Sequence, residues 1–150
     1  MNARFEAADP AFAPRVRGSF ERQKAMAFIG AQLLLVEPGR VEIALPFRED
    51  LTQQKGFVHG GIVGMIADSA AGYASYTLMP ASASLVTVEY KMNIVSPGRG
   101  NLVARGEVIK PGRTLTVARA EVYAPGGVLV ATMLQTLIML ANTPDHPEPK

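Results

Sequence analysis

Residues 60–79 read GGIVGMIADSAAGYASYTLM, and the rest of the chain has to be arranged around them. The stretch is mostly Ala, Ile, Val, Met and Gly, and no proline interrupts it before Pro80. Small or apolar residues fall on every side of a helix drawn through it. Such a helix is buried nearly all round rather than along one stripe. Glycines break the run at its start and Asp68 interrupts it near the centre, which fits a core helix and not a membrane span.

On the C-terminal side the pattern changes to strands. From Ser84 to Ser96, Val86, Val88, Tyr90, Met92 and Ile94 alternate with Thr87, Glu89, Lys91 and Asn93, the period of a half-buried strand. Pro-Gly pairs stand at Pro38-Gly39, Pro97-Gly98, Pro111-Gly112 and Pro125-Gly126, and the last three are fourteen residues apart. Pro presets φ at the second position of a turn and Gly supplies a positive φ at the third, so each pair predicts a type II turn. Strands of about ten residues between short turns make an antiparallel meander, with strands near 101–110, 114–124 and 128–140. On the N-terminal side, Val41, Ile43 and Leu45 alternate with Arg40, Glu42 and Ala44 in a first hairpin. A long helix wrapped by a curved antiparallel sheet, of class α+β, is the arrangement these pieces permit.

The ends differ from the middle. Residues 1–18 contain Pro10, Pro14 and several arginines and are expected to form a flexible arm. A short amphipathic helix follows from Ser19, its possible N-cap, to about Ile29. The tail 143–150 has three prolines in eight residues and is expected to be disordered, which leaves 19–142 as one domain.

Composition narrows the function. The 150 residues are 48% hydrophobic and 19% charged with a net charge of +2, as in a compact globular protein. No Lys/Arg run with interleaved aromatics suggests nucleic acid. The chain has no cysteine, which excludes disulfides, thiolate metal sites and cysteine nucleophiles. His59 and His146 lack metal-ligand spacing, and no phosphate-binding glycine loop or dinucleotide fingerprint is present. Neither a resident metal nor a cofactor is expected, nor a membrane partner. With no secretory signal in view, the cytoplasm is the expected location.

From Gly56 to Val88, Asp68 is the only formally charged residue. A carboxylate inside an apolar helix is costly unless it is paired or used. Eight residues before it, Gly60 stands between His59 and Gly61 at the start of the same helix. Helix N-termini present unpaired N–H groups and a partial positive charge, and glycine lets a carbonyl approach them, as an oxyanion hole requires.

The stretch Gly56-Phe57-Val58-His59-Gly60-Gly61, followed by Ile66-Ala67-Asp68-Ser69-Ala70, resembles the motif of the phenylacetate-degradation (PaaI-type) hot-dog thioesterases. The likeness continues through Val86-Thr87-Val88-Glu89-Tyr90, Ser96-Pro97 and Gly112-Arg113-Thr114, and covers most of residues 28–140. The resemblance implies hydrolysis of an acyl-CoA thioester, with an aryl or medium-chain acyl group and with CoA as part of the substrate. It implies that the Gly60 N–H polarises the thioester carbonyl. Asp68 would activate water or attack directly, and Thr87 would orient the water or the carboxylate. Gln53 falls where relatives carry Asn, and His59 shapes the turn. Gly61 is a further substrate contact, and Arg99, Lys110 and Arg113 are the candidates for the CoA phosphates. The alternatives are a hot-dog hydratase for enoyl or hydroxyacyl thioesters and an acyl-CoA-binding module without turnover.

Gly60 and Asp68 are eight residues apart, which puts them roughly 12 Å apart along one helix. If both act on a single bond, Asp68 must come from a second subunit. The expected assembly is therefore a homodimer at least, or a homotetramer built from such dimers.

Overall fold

The computed structural model describes residues 4–146. Two short helices, α1 (Phe12–Arg22) and α2 (Lys24–Ile29), precede the hairpin β1 (Gln32–Glu37) and β2 (Arg40–Leu45). The long helix α3 (Gly60–Tyr76) follows, and then the meander β3 (Ser84–Ile94), β4 (Leu102–Lys110), β5 (Leu115–Ala124) and β6 (Val128–Leu140). The six strands form one antiparallel sheet in the order β1-β2-β4-β5-β6-β3. This is the expected wrapped-helix arrangement. Among the described residues, no helix is long and apolar enough to cross a membrane.

The sheet curls around α3, which packs against β2, β3, β4, β5 and β6. Val63, Ile66, Ala67, Ala70, Ala71 and Ala74 are buried in the single core cluster this creates. The small side chains of the helix let its backbone come close to the sheet. At the tightest point a Cβ on Gly106 of β4 would lie 2.1 Å from the Ala70 carbonyl oxygen, so only glycine fits there.

Three expectations need correction. The first concerns the N-terminal arm. Helix α1 begins at Phe12 rather than at Ser19, and Ser19 is a buried residue inside it. The segment is held down by Arg15, whose guanidinium donates to the carbonyls of Tyr76 (3.2 Å), Met79 (2.7 Å) and Pro80 (3.0 Å). Arg15 also stacks 4.3 Å over the Tyr76 ring and pairs with Asp9 at 3.0 Å. These carbonyls lie at and just beyond the C-terminal end of α3, where free acceptors and a partial negative charge favour a cation. The expected single helix is broken at Gln23, which is extended (ψ 94), and α2 ends at Gly30 in the left-handed region. At the other end, Asp145 of the tail bonds Arg22; residues 147–150 lie outside the described residues.

The second correction is to β3. Its pairing with β6 slips between Thr87 and Glu89, a bulge at Val88. An extra residue reverses the phase of alternation. Thr87 and the later residues Tyr90, Met92 and Ile94, which simple alternation assigns to opposite faces, all meet α3: Thr87 at Asp68, Tyr90 and Met92 at Gly64, Ile94 at Gly60. The outer edge of β3 has no partner strand among the described residues, and Val86, Val88, Tyr90 and Ile94 on it are 47–55% exposed.

The third is to the turns. Gly39 and Gly126 carry the positive φ of the expected type II geometry, but Gly98 and Gly112 do not. After Pro97 the positive φ falls at Gly100 instead, and the Gly98 carbonyl accepts the Val58 N–H at 2.9 Å.

Replacing Gly106 with alanine forces the new methyl against helix backbone, which has no rotamer to yield. We expect Gly106→Ala to cost roughly 3 kcal/mol or more. Thermal unfolding followed by circular dichroism checks this; an unchanged melting temperature would show that the helix and sheet are not in close contact here.

Candidate active site

Asp68 occupies the third turn of α3, half-buried, with its side chain turned toward β3 and β6. The Thr87 hydroxyl donates to Asp68 Oδ1 at 2.8 Å. The Gln135 amide, on β6, donates through Nε2 to the same Oδ1 and to Thr87 Oγ1 at 2.9 Å. Gln135 is completely buried and its Oε1 has no partner among the described residues. Sequence reasoning missed this residue. Its signal is local: Met133, Gln135 and Leu137 share the inward face of β6, so an amide sits where alternation calls for an apolar side chain.

Asp68 and Thr87 open onto a cavity of about 350 Å³ bounded also by Ser19, Gln23, Ser69, Tyr73, Leu85 and Asp145. Helix α1, docked by Arg15, supplies one wall. Polar groups of this wall bond α3: Ser19 Oγ lies 3.2 Å from Tyr73 Oη, and Ser69 Oγ donates to Gln23 Oε1 at 3.3 Å. Burial pushes the Tyr73 phenol above its ordinary pKa, opposed in part by the Ser19 hydrogen bond, so it stays a neutral hydroxyl at physiological pH.

Gly60 starts α3, about two turns before Asp68, and lines a second cavity of about 350 Å³ with Gln53, Phe57, Val63, Ile94 and Pro97. His59 is the N-cap of α3, and its Nδ1 accepts the Gly61 N–H at 2.9 Å. Two consequences follow for the sequence-derived candidates. The Gly61 N–H is committed to the cap and is not free for a ligand. A neutral His59 accepting at Nδ1 carries its proton on Nε2, where it can donate but not act as a base. The Gly60 N–H, by contrast, donates to no acceptor among the described residues. Gln53 tightens the preceding turn: its N–H donates to Phe57 O at 2.8 Å, and its Oε1 accepts the Lys55 N–H.

The basic candidates separate. Arg99 stacks 4.3 Å over the Phe57 ring and borders a cavity that shares Ser96 and Pro97 with that of Gly60. Lys110 and Arg113 flank the β4–β5 turn at the opposite end of β4, a strand of nine residues and so roughly 27 Å long. That end of the sheet is the one where Thr87 lies, since Leu115 pairs with Ile138 and Ile138 with Val86. One protomer does not bring the three cations together. Among the described residues no group of three His, Cys, Asp or Glu side chains is placed to hold a metal ion.

One long helix, α3, wrapped by a six-stranded antiparallel sheet places the chain in the hot-dog fold class. The family model of the thioesterase superfamily matches residues 55–131, just over half of the chain, and the chain belongs to that superfamily. Among solved structures it is similar to a thioesterase family protein of Silicibacter pomeroyi, at 48% identity, 87% of this chain, 98% of that chain and a TM-score of 0.84. The E. coli PaaI protein of the phenylacetic acid degradation operon has the same fold, with a TM-score of 0.81 over 88% of this chain and 95% of that chain, at 17% identity. A Halobacterium salinarum protein provisionally described as an esterase is 30% identical over 88 residues, 55% of this chain and 58% of that protein. The chain thus spans little more than half the length of that relative.

The cap at His59 can be tested alone. His59→Ala leaves the Gly61 N–H without its acceptor and is expected to lower unfolding free energy by about 1 kcal/mol, whereas His59→Asp, a good N-cap, should restore it. Urea titration reads both; equal stability for His59→Ala and wild type would mean that the cap contributes nothing.

Proposed function

We propose that the protein hydrolyses an acyl-CoA thioester to the free acid and CoA at sites shared between two subunits. The observation that carries this is the division of the chemistry along α3, with a tethered carboxylate at its middle and, at its start, an amide that donates to no acceptor among the described residues. Asp68 takes a proton from water as its oxygen attacks the thioester carbon, or attacks that carbon itself to form a transient anhydride. The Gly60 N–H, with the partial positive charge of the helix start, stabilises the oxyanion. The C–S bond then breaks and the sulfur leaves as CoA thiolate, to be protonated; on the direct route this step leaves the acyl group on Asp68 as the anhydride, which a water then hydrolyses to the free acid and the restored carboxylate. The acyl group, aryl or medium-chain, occupies the cavity beside Asp68 and Tyr73.

The exposed apolar edge of β3 supports a homodimer. A long unpaired edge of this kind is a template for another strand, and the partner of choice is a second β3. Because Thr87 lies against Asp68 and Ile94 against Gly60, an antiparallel ladder with its two-fold between Tyr90 and Lys91 would set Asp68 beside Gly60 of the partner subunit. The same operation brings Lys110 and Arg113 of one subunit to the end of the joined sheet that holds Arg99 of the other, so cations from both subunits can serve one CoA. With its base-capable nitrogen taken by the cap, His59 does not favour the hydratase reading. The cytoplasm and a tetramer of two such dimers complete the proposal.

Thiol release from a panel of acyl-CoAs tests the chemistry. Asp68→Ala and Asp68→Asn should lose on the order of a thousandfold or more in kcat with the fold intact, and near-normal turnover in Asp68→Ala would remove the mechanism. The subunit sharing has its own test. Gly60→Pro deletes the proposed donor at the first helical position, where proline is tolerated, and should cost roughly a hundredfold or more in kcat. Co-expressing Gly60→Pro with Asp68→Ala should restore about a quarter of wild-type turnover, because half the dimers are mixed and each holds one intact site. Recovery of nothing would put both groups in one subunit's site. Val88→Asp, a charge on the exposed edge, should yield an inactive monomer in light scattering; an active monomer would refute the interface.

A further inference from the structure

We infer that Gln135 is the positioning residue of this site, and that it assigns different tasks to the two oxygens of Asp68. The inference rests on the hydrolase reading and deepens it. Gln135 Nε2 and Thr87 Oγ1 both donate to Oδ1, while Oδ2 receives no donor from the described residues. A carboxylate with one oxygen pinned twice cannot rotate about its last torsion without breaking both bonds. Oδ1 is the anchor, and Oδ2 is the oxygen left to accept the proton of water or to attack the acyl carbon.

Gln135 does this from inside the core. It is fully buried, so it does not meet substrate and acts through Asp68 and Thr87. Its flanking partners in the sheet are Tyr90 on β3 and Ala118 on β5, and its inward neighbours on β6 are the buried Met133 and Leu137. A side chain needed only to fill that space would be Leu or Met. The amide leaves its Oε1 buried without a partner among the described residues, a penalty that an apolar residue avoids. Turning the amide over would not relieve it, because Oε1 would then face the carboxylate and two acceptors would repel. The arrangement makes sense if what is retained is the pair of Nε2 hydrogens, one on Asp68 and one on Thr87. Length matters as well: Asn is one methylene shorter and withdraws the donor from α3.

The test compares kcat and KM for an acyl-CoA that the wild-type protein hydrolyses. Gln135→Met keeps length and volume but has no donor. It should lower kcat by about 10- to 100-fold with KM changed less than about threefold, and should not lower the melting temperature. Gln135→Glu, an acceptor of the same shape, should lose more. Thr87→Val should also slow turnover, and the double variant Gln135→Met/Thr87→Val should fall by less than the product of the single losses, since both donors act on Oδ1. In an Asp68→Ala background, Gln135→Met should leave the residual rate unchanged. A merely structural glutamine would instead slow both backgrounds equally, and that result, or a Gln135→Met kcat within about twofold of wild type, overturns the inference. If the wild-type protein releases thiol from no acyl-CoA, the hydrolase reading falls first, and the positioning role falls with it. Turnover that is lost in Asp68→Ala but kept in Gln135→Met sinks the positioning role alone.

Discussion

A helix that is apolar on every side cannot rest on a sheet with one face in water, and the fold answers by curling six strands around α3. Close contact is made possible by small residues on both partners, with Gly106 the point where no side chain fits against Ala70. The same packing half-buries Asp68. A carboxylate so placed must find donors, and the sheet that wraps the helix supplies them from Thr87 and Gln135. Packing and chemistry meet at this contact. The bulge at Val88 brings Thr87 to the helix side of β3 while Tyr90, Met92 and Ile94 stay there too.

The rigidity of α3 has a second effect. Its middle and its start hold the two chemically notable groups, the carboxylate in the third turn and the Gly60 amide, and no rotamer change joins them. Each faces its own cavity. In the proposed dimer, the outer edge of β3, without a partner strand among the described residues, lets each half be completed by a second copy. The wide separation of Arg99 from Lys110 and Arg113 fits the same logic, because a two-fold turn exchanges the ends of the sheet.

The N-terminal segment takes part in the site through an indirect contact. Arg15 satisfies carbonyls where α3 ends, and in doing so it fixes α1 as a wall of the cavity at Asp68. Ser19 and Gln23 reach that cavity and bond Tyr73 and Ser69. A helix terminus that needs donors thereby helps to shape the space around the carboxylate.

The central helix, the meander and the prominence of Asp68 and Gly60 were legible in the amino-acid order because each depends on near neighbours. A run without charge, a period of two, and glycines before a helix are local patterns, and local patterns survive without knowledge of the fold. The docking of α1, the phase of β3 after its bulge, the commitment of the Gly61 N–H to His59 and the position of Gln135 against Asp68 were decided only in three dimensions. Gln135 and Asp68 are sixty-seven residues apart in the chain, and their meeting depends on which strand lies beside which and in what register. Strand register is set by the packing of the whole sheet on α3, and no short stretch of sequence carries it.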